Sequence, residues 1–333
     1  MSYVQLGGSG LRVSRVCLGT MNFGGPTDAA ASRAMIDAFL EAGHNFIDTA
    51  DVYTGGESER LVGAAIGRRR DEVVLATKVR NATGSGANDR GSGRKHLRLA
   101  LEASLRRLST DHLDVYYLHR PDESCPIEES WAVLDEFVRA GKVLYLGVSN
   151  FWAWQAAEVA GMARRHGWAP LSVIQPLYNL ANRDCEVEVL PMARHFHCGV
   201  VPYSPIARGV LSGKYRAGEN PPPDSRAARG DARLAQTEWR PENLDLAEAI
   251  APLAKDLGCS CAQLALAWVL ANPVVTAPIL GPRTMEQLQD NLGALDVRLT
   301  EAVEQEIDEL VPPGTHTGSG FHDPLYPITG RRP

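Results

Sequence analysis

The stretch Asn45–Gly63, "NFIDTADVYTGGESERLVG", carries an apolar run straight into Asp48, sets a tyrosine at Tyr53, and then starts a helix-like pattern. Read as strand, loop and helix it is one βα unit, so the first question is whether the chain repeats it. The second is why a buried-looking strand ends in a carboxylate with a phenol on the loop behind. Aspartate is common where a chain leaves a strand, because its side chain bonds nearby backbone. A catalytic site needs the same two groups for another reason. The remaining sequence weighs one reading against the other.

The unit does repeat. Short β-branched or aliphatic runs lie at 16–20, 45–50, 73–79, 113–120, 143–150, 173–179, 199–205 and 275–281, eight in all. The first six start about 30 residues apart, the size of a βα unit. The intervening segments read as helices with recognisable ends. Thr27 or Asp28 caps one that Gly43 closes, and Pro126 opens one that Gly141 closes. Leu97, Leu101, Leu105 and Leu108 fall on one face of a third. Strict alternation predicts a parallel sheet, and eight strands apolar on both faces fit a closed (β/α)8 barrel (TIM barrel) better than an open one. The competing fold is a doubly wound sheet, but no G-x-G-x-x-G follows the first strand. The "LGGSG" at 6–10 precedes it and reads as a hairpin turn.

The expected organisation is a single domain over 1–333, with an N-terminal hairpin at 1–15 and an irregular tail at 312–333 for which disorder is the simpler expectation. A Gly-rich loop at 81–94 and a long polar loop at 212–243 follow the third and seventh strands, on the side where barrel enzymes keep their sites.

A net charge of −6 argues against nucleic acid or an anionic membrane as partner, and 44% hydrophobic with 22% charged residues is the balance of a soluble globular protein. The apolar stretch Leu264–Pro282 is broken by Asn272, Pro273 and Pro278 and reads as core helix plus core strand. The N-terminus has no basic flank followed by a long apolar run, so no signal peptide is expected, and the six cysteines form no C-x-x-C; a reduced, cytoplasmic protein is the expectation. "HFHC" at 195–198 has no second ligand cluster and reads as a helix end, so no metal is expected.

The chemistry gathers at one end of the strands. Asp48 closes the second with Tyr53 behind it, Lys78 closes the third and His119 the fourth. Ser149 and Asn150 end the fifth, Gln175 lies in the sixth, and Tyr203 sits near the end of the seventh. Taken singly, each has an ordinary explanation: strand-end cap, packing phenol, strand-end lysine, core histidine. Together they form a coherent acid. A phenol titrates near pH 10 and is a poor acid at neutrality, but an adjacent ammonium stabilises the phenolate. An aspartate keeps that lysine charged, and a neutral histidine can orient a carbonyl. Such a pocket protonates a developing alkoxide and still needs a hydride, which no side chain supplies.

The motifs "LGTMNFG", "NFIDTADVY", "LATK", "RLSTDHLDVYYLHRPD", "GKVLYLGVSN", "QPLYNLANR", "VPYSPIARGVLSGKY" and "GPRTMEQLQDNLGAL" occur in that order between about residues 3 and 310. In these the chain resembles the aldo-keto reductase family, and within it the bacterial branch related to potassium-channel β subunits and deoxysugar reductases. The resemblance implies NADP-dependent oxidoreductase activity on CH–OH or carbonyl groups, with Tyr53 as general acid, Lys78 and Asp48 as its tuning pair and His119 orienting the carbonyl. It implies that Ser149, Asn150 and Gln175 hold the nicotinamide carboxamide while Tyr203 stacks on its ring. Asp48, Gly19, Thr20 and Met21 would flank the cofactor's inner side. Ser204, Pro205, Ile206, Arg208, Gly209, Leu211, Gly213 and Lys214 would line the pyrophosphate, and Gly281, Arg283, Gln287, Asp290 and Asn291 the adenosine end. Arg283 favours NADPH, because a guanidinium suits a 2′-phosphate. Pro282 departs from the Ser or Ala that relatives often carry there, so one hydroxyl contact is missing.

The expected partner is a small-molecule carbonyl substrate, whose identity the sequence does not specify, and a homo-oligomer is compatible with it. Phe23, Phe321 and Tyr326 are candidates for substrate contact, and Trp152 and Trp154 for either helix packing or pocket wall. Two rival functions stand beside the reductase: a cofactor-binding regulatory subunit with little turnover, and a Schiff-base lyase with Lys78 as nucleophile.

Overall fold

The computed structural model describes residues 3–318 and 321–326. Met1 and Ser2 of the expected hairpin segment, and 319–320 and 327–333 of the expected tail, lie outside the described residues. The chain forms two compact units. The first takes Met1–Pro176, Glu188–Tyr203 and Pro273–Leu288, the second Leu177–Val187, Ser204–Asn272 and Gln289–Pro333.

The first unit opens with an antiparallel hairpin, β1 (Tyr3–Gln5) and β2 (Arg12–Ser14), turned through the Gly-rich segment as expected. Eight parallel strands follow: β3 (Cys17–Gly19), β4 (Phe46–Asp48), β5 (Val74–Val79), β6 (Leu113–Leu118), β7 (Val143–Ser149), β8 (Leu171–Gln175), β9 (Gly199–Val200) and β10 (Ile279–Leu280). They pair in the order β10-β3-β4-β5-β6-β7-β8-β9. The ring closes because Thr276 N–H donates to the Val200 carbonyl (2.8 Å) and Ile279 N–H to that of Pro202 (2.9 Å). With helices between the strands, this is a (β/α)8 barrel.

Strand periodicity decides what fills it. Cys17, Phe46, Val74, Ala76, Val115, Tyr117, Val173, Val201, Ala277 and Ile279 form the buried interior cluster, joined by Leu6 and Val13 from the hairpin segment. Side chains two apart on a strand face the same way. One step further along the same face come Gly19, Asp48, Lys78, His119, Gln175, Tyr203 and Gly281, with Ser149 two beyond Gly147 on β7. The apolar plug and the polar residues are successive layers of one register. The pairings Gly19↔Asp48, Lys78↔Tyr117 and Ser149↔Gln175 fix their heights.

The outer helices begin and end where turn chemistry places them. Asp28 caps helix Ala29–Glu41 by accepting from Ala31 N–H (2.8 Å). Leu97, Leu101, Leu105 and Leu108 are all buried along helix Arg94–Leu108. Phe23, a candidate for substrate contact, is wholly buried and belongs to the core instead. Trp152 and Trp154 stand 51% and 66% exposed, so neither packs into the core.

In the second unit, the long polar loop expected at 212–243 is more ordered than its composition suggests. Helix Ala232–Thr237 sits inside it and helix Pro241–Ala249 starts before it ends. Asp231 caps the former through Leu234 N–H (2.7 Å), and Leu234 and Thr237 are buried. The described part of the tail has no helix and no strand, yet it is held in place. Arg233 pairs with Asp323, and the Arg240 guanidinium lies 3.9 Å from the centroid of the Phe321 ring. Among the described residues no single helix is long and apolar enough to cross a membrane.

Helix Glu57–Ile66 approaches the end of helix Arg94–Leu108 through Gly63, where an added Cβ would meet the Leu108 carbonyl oxygen at 2.4 Å. Helix propensity alone would favour alanine there by ~1 kcal/mol. A backbone carbonyl cannot rotate aside, so Gly63→Ala is expected to lower stability by ~1–3 kcal/mol. The expected readout is a lower urea midpoint at unchanged m-value.

Candidate active site

Lys78 is the centre of the site. Its side chain is wholly buried, and its ammonium donates to Asp48 Oδ1, to the Thr49 carbonyl (2.8 Å) and to the Tyr53 hydroxyl (3.2 Å). Three protons meet three acceptors. Burial alone would pull the ammonium down, but the Asp48 carboxylate and then Tyr53 outweigh it and leave Lys78 above its usual value. It therefore stays charged. The other Asp48 oxygen accepts from Gln175 Nε2 (3.0 Å), so the carboxylate is held from β5 and β8 at once.

Tyr53 reaches Lys78 because the chain turns sharply after β4. Tyr53–Gly56 is a 3-10 turn in which Thr54, Gly55 and Gly56 all have positive φ. Thr54 Oγ1 donates to the Phe23 carbonyl (2.7 Å) and accepts from Ser58 N–H (3.1 Å), pinning the turn to the next helix. Ser58 Oγ lies 2.8 Å from the Thr20 hydroxyl, which itself donates to the Asp48 carbonyl. Thr20, expected beside the cofactor, is buried and spends its hydroxyl within the site wall. Met21 is 40% exposed.

His119 follows β6 and faces Tyr53 edge to face, with ring centroids 6.0 Å apart. Burial, and then the positive charges of Lys78, Arg120 and Arg80, push it well below the usual histidine range, so it is neutral at pH 7. Next to it, Ser149 Oγ donates to the Gln175 carbonyl (2.9 Å) and Asn150 Nδ2 to the His119 carbonyl (2.9 Å). The Tyr203 hydroxyl donates to Asn150 Oδ1 (2.7 Å). Asp48, Tyr53, Lys78, His119, Ser149, Asn150, Gln175 and Tyr203 thus form one connected set. Beyond β10, Asn22 Nδ2 donates to the Gly281 carbonyl (3.3 Å), and Arg283 N–H donates to Gln287 Oε1 (2.8 Å). The Arg283 guanidinium makes no ion pair among the described residues.

In the second unit, Ala207, Arg208 and Gly209 have successive positive φ values, and Ser204 and Gly213 share that conformation. The segment folds on itself, with Ala207 N–H donating to the Ser204 carbonyl (2.9 Å) and Gly209 N–H to that of Ile206 (2.8 Å). A Cβ on Gly209 would lie 3.1 Å from the Lys214 ammonium nitrogen, so glycine lets that charge close in. Pro205, Ile206 and the buried Leu211 complete this segment. Asp290 accepts from Ser260 Oγ (3.2 Å) and, through its carbonyl, from Gln263 Nε2 (2.9 Å), while Asn291 is 5% exposed.

Two residues of the first unit enter that sequence reasoning did not single out. Asn81, in the Gly-rich loop expected on the site's side but not itself singled out, brings Nδ2 to 3.1 Å from His119 Nδ1. Asp51 is 3% exposed, and neither of its oxygens has a hydrogen-bond partner among the described residues. Burial, and then the Glu59 charge, push its carboxyl up to about 8. Glu59 itself is satisfied by Thr77 Oγ1 and Arg107 Nε (both 2.6 Å). Two acids around one tyrosine, Asp51 and Asp48, are an available signal, but both are buried and only their partners separate them: Lys78 and Gln175 bond Asp48. Among the described residues no cluster of His, Cys, Asp or Glu is suited to a metal.

The family model for the aldo/keto reductase family matches residues 15–312. The chain belongs to that family. The matched span takes in residues of both units. The chain is 41% identical to an uncharacterized oxidoreductase, YrpG, of Bacillus subtilis (strain 168), over 96% of this chain and 99% of that one. It is 40% identical to a probable voltage-gated potassium channel subunit beta of Oryza sativa subsp. japonica, over 93% and 97%. It is 37% identical to norsolorinic acid reductase of Aspergillus flavus, over 91% and 79%. As an aldo/keto reductase it is an oxidoreductase of the carbonyl-reducing kind, and its likeness to channel β subunits matches the branch read from its motifs.

Asp51 yields a pH-dependent expectation for this aldo/keto reductase. A carboxyl raised in the folded state stabilises below its unfolded value near 4, and that contribution is lost as pH rises toward about 8. Asp51→Asn removes the ionisation, so its gain over wild type should grow across that window. We expect it to reach on the order of 2–4 kcal/mol at pH 7 and to shrink toward pH 4, measured by urea unfolding of both proteins at each pH.

Proposed function

We propose that the protein reduces an aldehyde or ketone to an alcohol with NADPH, and that Tyr53 delivers the proton to the carbonyl oxygen. The observation that carries this reading is the buried Lys78 ammonium shared between Asp48 and Tyr53. A permanent positive charge beside the phenol lowers the cost of its losing a proton. His119, neutral and facing Tyr53, would donate a hydrogen bond that orients the same oxygen. Lys78 is committed to three acceptors and charged, which disfavours the Schiff-base alternative, since that chemistry needs a free amine.

Reduced nicotinamide would supply the hydride when bound. Each unit carries features that fit NADPH. In the first, Ser149, Asn150 and Gln175 offer donors and acceptors for a carboxamide beside Tyr203, and the Arg283 guanidinium, which makes no ion pair among the described residues, suits a 2′-phosphate. In the second, the Lys214 ammonium close to Gly209 offers a positive charge to a phosphate. We take the whole chain as one working domain.

A second reading has its own support. Two relatives bear the name of a potassium channel β subunit, at 40% and 37% identity, so a cofactor-binding partner subunit with little turnover is the alternative. One experiment separates the two: NADPH consumption with a panel of aldehydes and ketones, wild type beside Tyr53→Phe, with NADPH affinity from fluorescence quenching. The reductase reading expects wild-type turnover, and a Tyr53→Phe variant that binds NADPH within about twofold but loses about 100-fold or more in kcat. Tight NADPH binding with no carbonyl turned over by the wild type would favour the partner subunit.

A further inference from the structure

A neutral imidazole carries one hydrogen, and the nitrogen that holds it decides what the ring can do. We propose that Asn81 is a positioning residue that fixes the tautomer of His119, holding the ring hydrogen on Nε2 by donating its own amide hydrogen to Nδ1. The consequence for catalysis rests on the reading of His119 as the carbonyl-orienting group. The tautomer itself does not.

The geometry is specific. Asn81 Nδ2 stands 3.1 Å from His119 Nδ1. An amide nitrogen only donates, so the Nδ1 it faces must accept, and the hydrogen of a neutral ring is then on Nε2. Among the described residues this is the one hydrogen bond made to the ring. The rest of the residue is held through its backbone, by His119 N–H donating to the Val79 carbonyl and by Asn150 Nδ2 donating to the His119 carbonyl (both 2.9 Å). Asn150 does so from a left-handed conformation, φ 60°. The peptide is clamped, and the choice of ring nitrogen falls to Asn81.

The chain makes a costly turn to bring Asn81 there. Arg80, between the end of β5 and Asn81, has φ 120°, a conformation that a side chain with a Cβ rarely adopts. Its carbonyl is tied to Gly91 N–H (2.8 Å), and its guanidinium approaches Asp122 Oδ1 at 3.7 Å. Asp122 in turn accepts from Ser92 N–H (2.6 Å). Both ends of the 80–92 loop are thus fastened beside the residues that follow β6. The charged groups acting on the ring are Lys78 from β5, Arg80 from the loop and Arg120 from beyond β6, all positive, with the Tyr53 phenol opposite. With no carboxylate among them to stabilise an imidazolium, the ring stays neutral, which is the condition under which tautomer choice matters.

The test reads the tautomer directly. In protein carrying 15N-labelled histidine, His119 is assigned among the nine histidines as the signal lost in His119→Gln. At pH 7 its Nδ1 should be pyridine-like and its Nε2 pyrrole-like. A pyrrole-like Nδ1, or an averaged pair of shifts, overturns the proposal whether or not the protein reduces any carbonyl. If the tautomer is as stated but no carbonyl is turned over, the proposal stands and the catalytic reading falls.

Two variants extend the test. Asn81→Ala should let the ring shifts average and lower kcat about 3- to 10-fold, with NADPH affinity unchanged, as expected for one lost hydrogen bond. Asn81→Asp offers Nδ1 an acceptor in place of a donor, so Nδ1 should become protonated and His119 should titrate at higher pH than in the wild type. The wild-type kcat should show no His119 titration above pH 6.5, whereas Asn81→Asp should gain one. Ring shifts and pH profiles in both variants that superimpose on the wild type would overturn the assignment.

Discussion

A β-strand turns every second side chain the same way, and eight strands closed into a ring must satisfy that rule together. The interior of this barrel follows from that constraint. The face that puts Phe46, Ala76, Tyr117, Val173 and Val201 into the plug also puts Asp48, Lys78, His119, Gln175 and Tyr203 above it. A one-residue slip of β5 would send Lys78 outward among the helices and bring Thr77 into the ring. The apolar layer therefore supports the polar one and also sets its register. The hairpin segment contributes Leu6 and Val13 to the plug, so the sealed end and the reactive end are built on one axis.

Lys78 shows what that register must withstand. Moving an ammonium out of water costs several kcal/mol even after relaxation, and the cost is recovered only where each proton finds an acceptor. Here Asp48, the Thr49 carbonyl and Tyr53 provide them. The strand residues Asp48 and Lys78 are positioned by the sheet, while Tyr53 depends on a turn containing three residues at positive φ. The rigid partners hold the charge and the turn brings the proton donor to it. Asp51, two residues earlier, has no such partners among the described residues, and burial beside Glu59 pushes its carboxyl up to about 8.

Residues whose position follows from strand periodicity were legible in the sequence: Asp48, Lys78, His119 and Gln175 stand at the ends of apolar runs and arrive where those runs point. Helix ends marked by Asp28, Pro126 and Gly141 were legible for the same local reason. What escaped is what depends on burial or on loop path. Asn81 sits in "NATGSG", a loop whose place on the site's side was legible, but its own role comes from the turn at Arg80. Phe23 follows a strand end that faces the site, yet the chain folds it inward. Helix Ala232–Thr237 lies in a polar stretch whose apolar anchor, Leu234, has few apolar neighbours in sequence and so no visible period.

The ring is not equally strong all round. β9 and β10 are two residues each, whereas β5, β6 and β7 have six, six and seven. The short pair forms the seam, joined by backbone bonds from Thr276 and Ile279 to Val200 and Pro202, and β10 pairs on its other side with β3. Pairing β10 with β3 brings Cys17 beside Ile279, residues far apart in sequence, so the entropy of loop closure falls on a strand of only two residues. The barrel should zip from its middle strands outward and latch last at the seam, and native-state amide exchange should open there first.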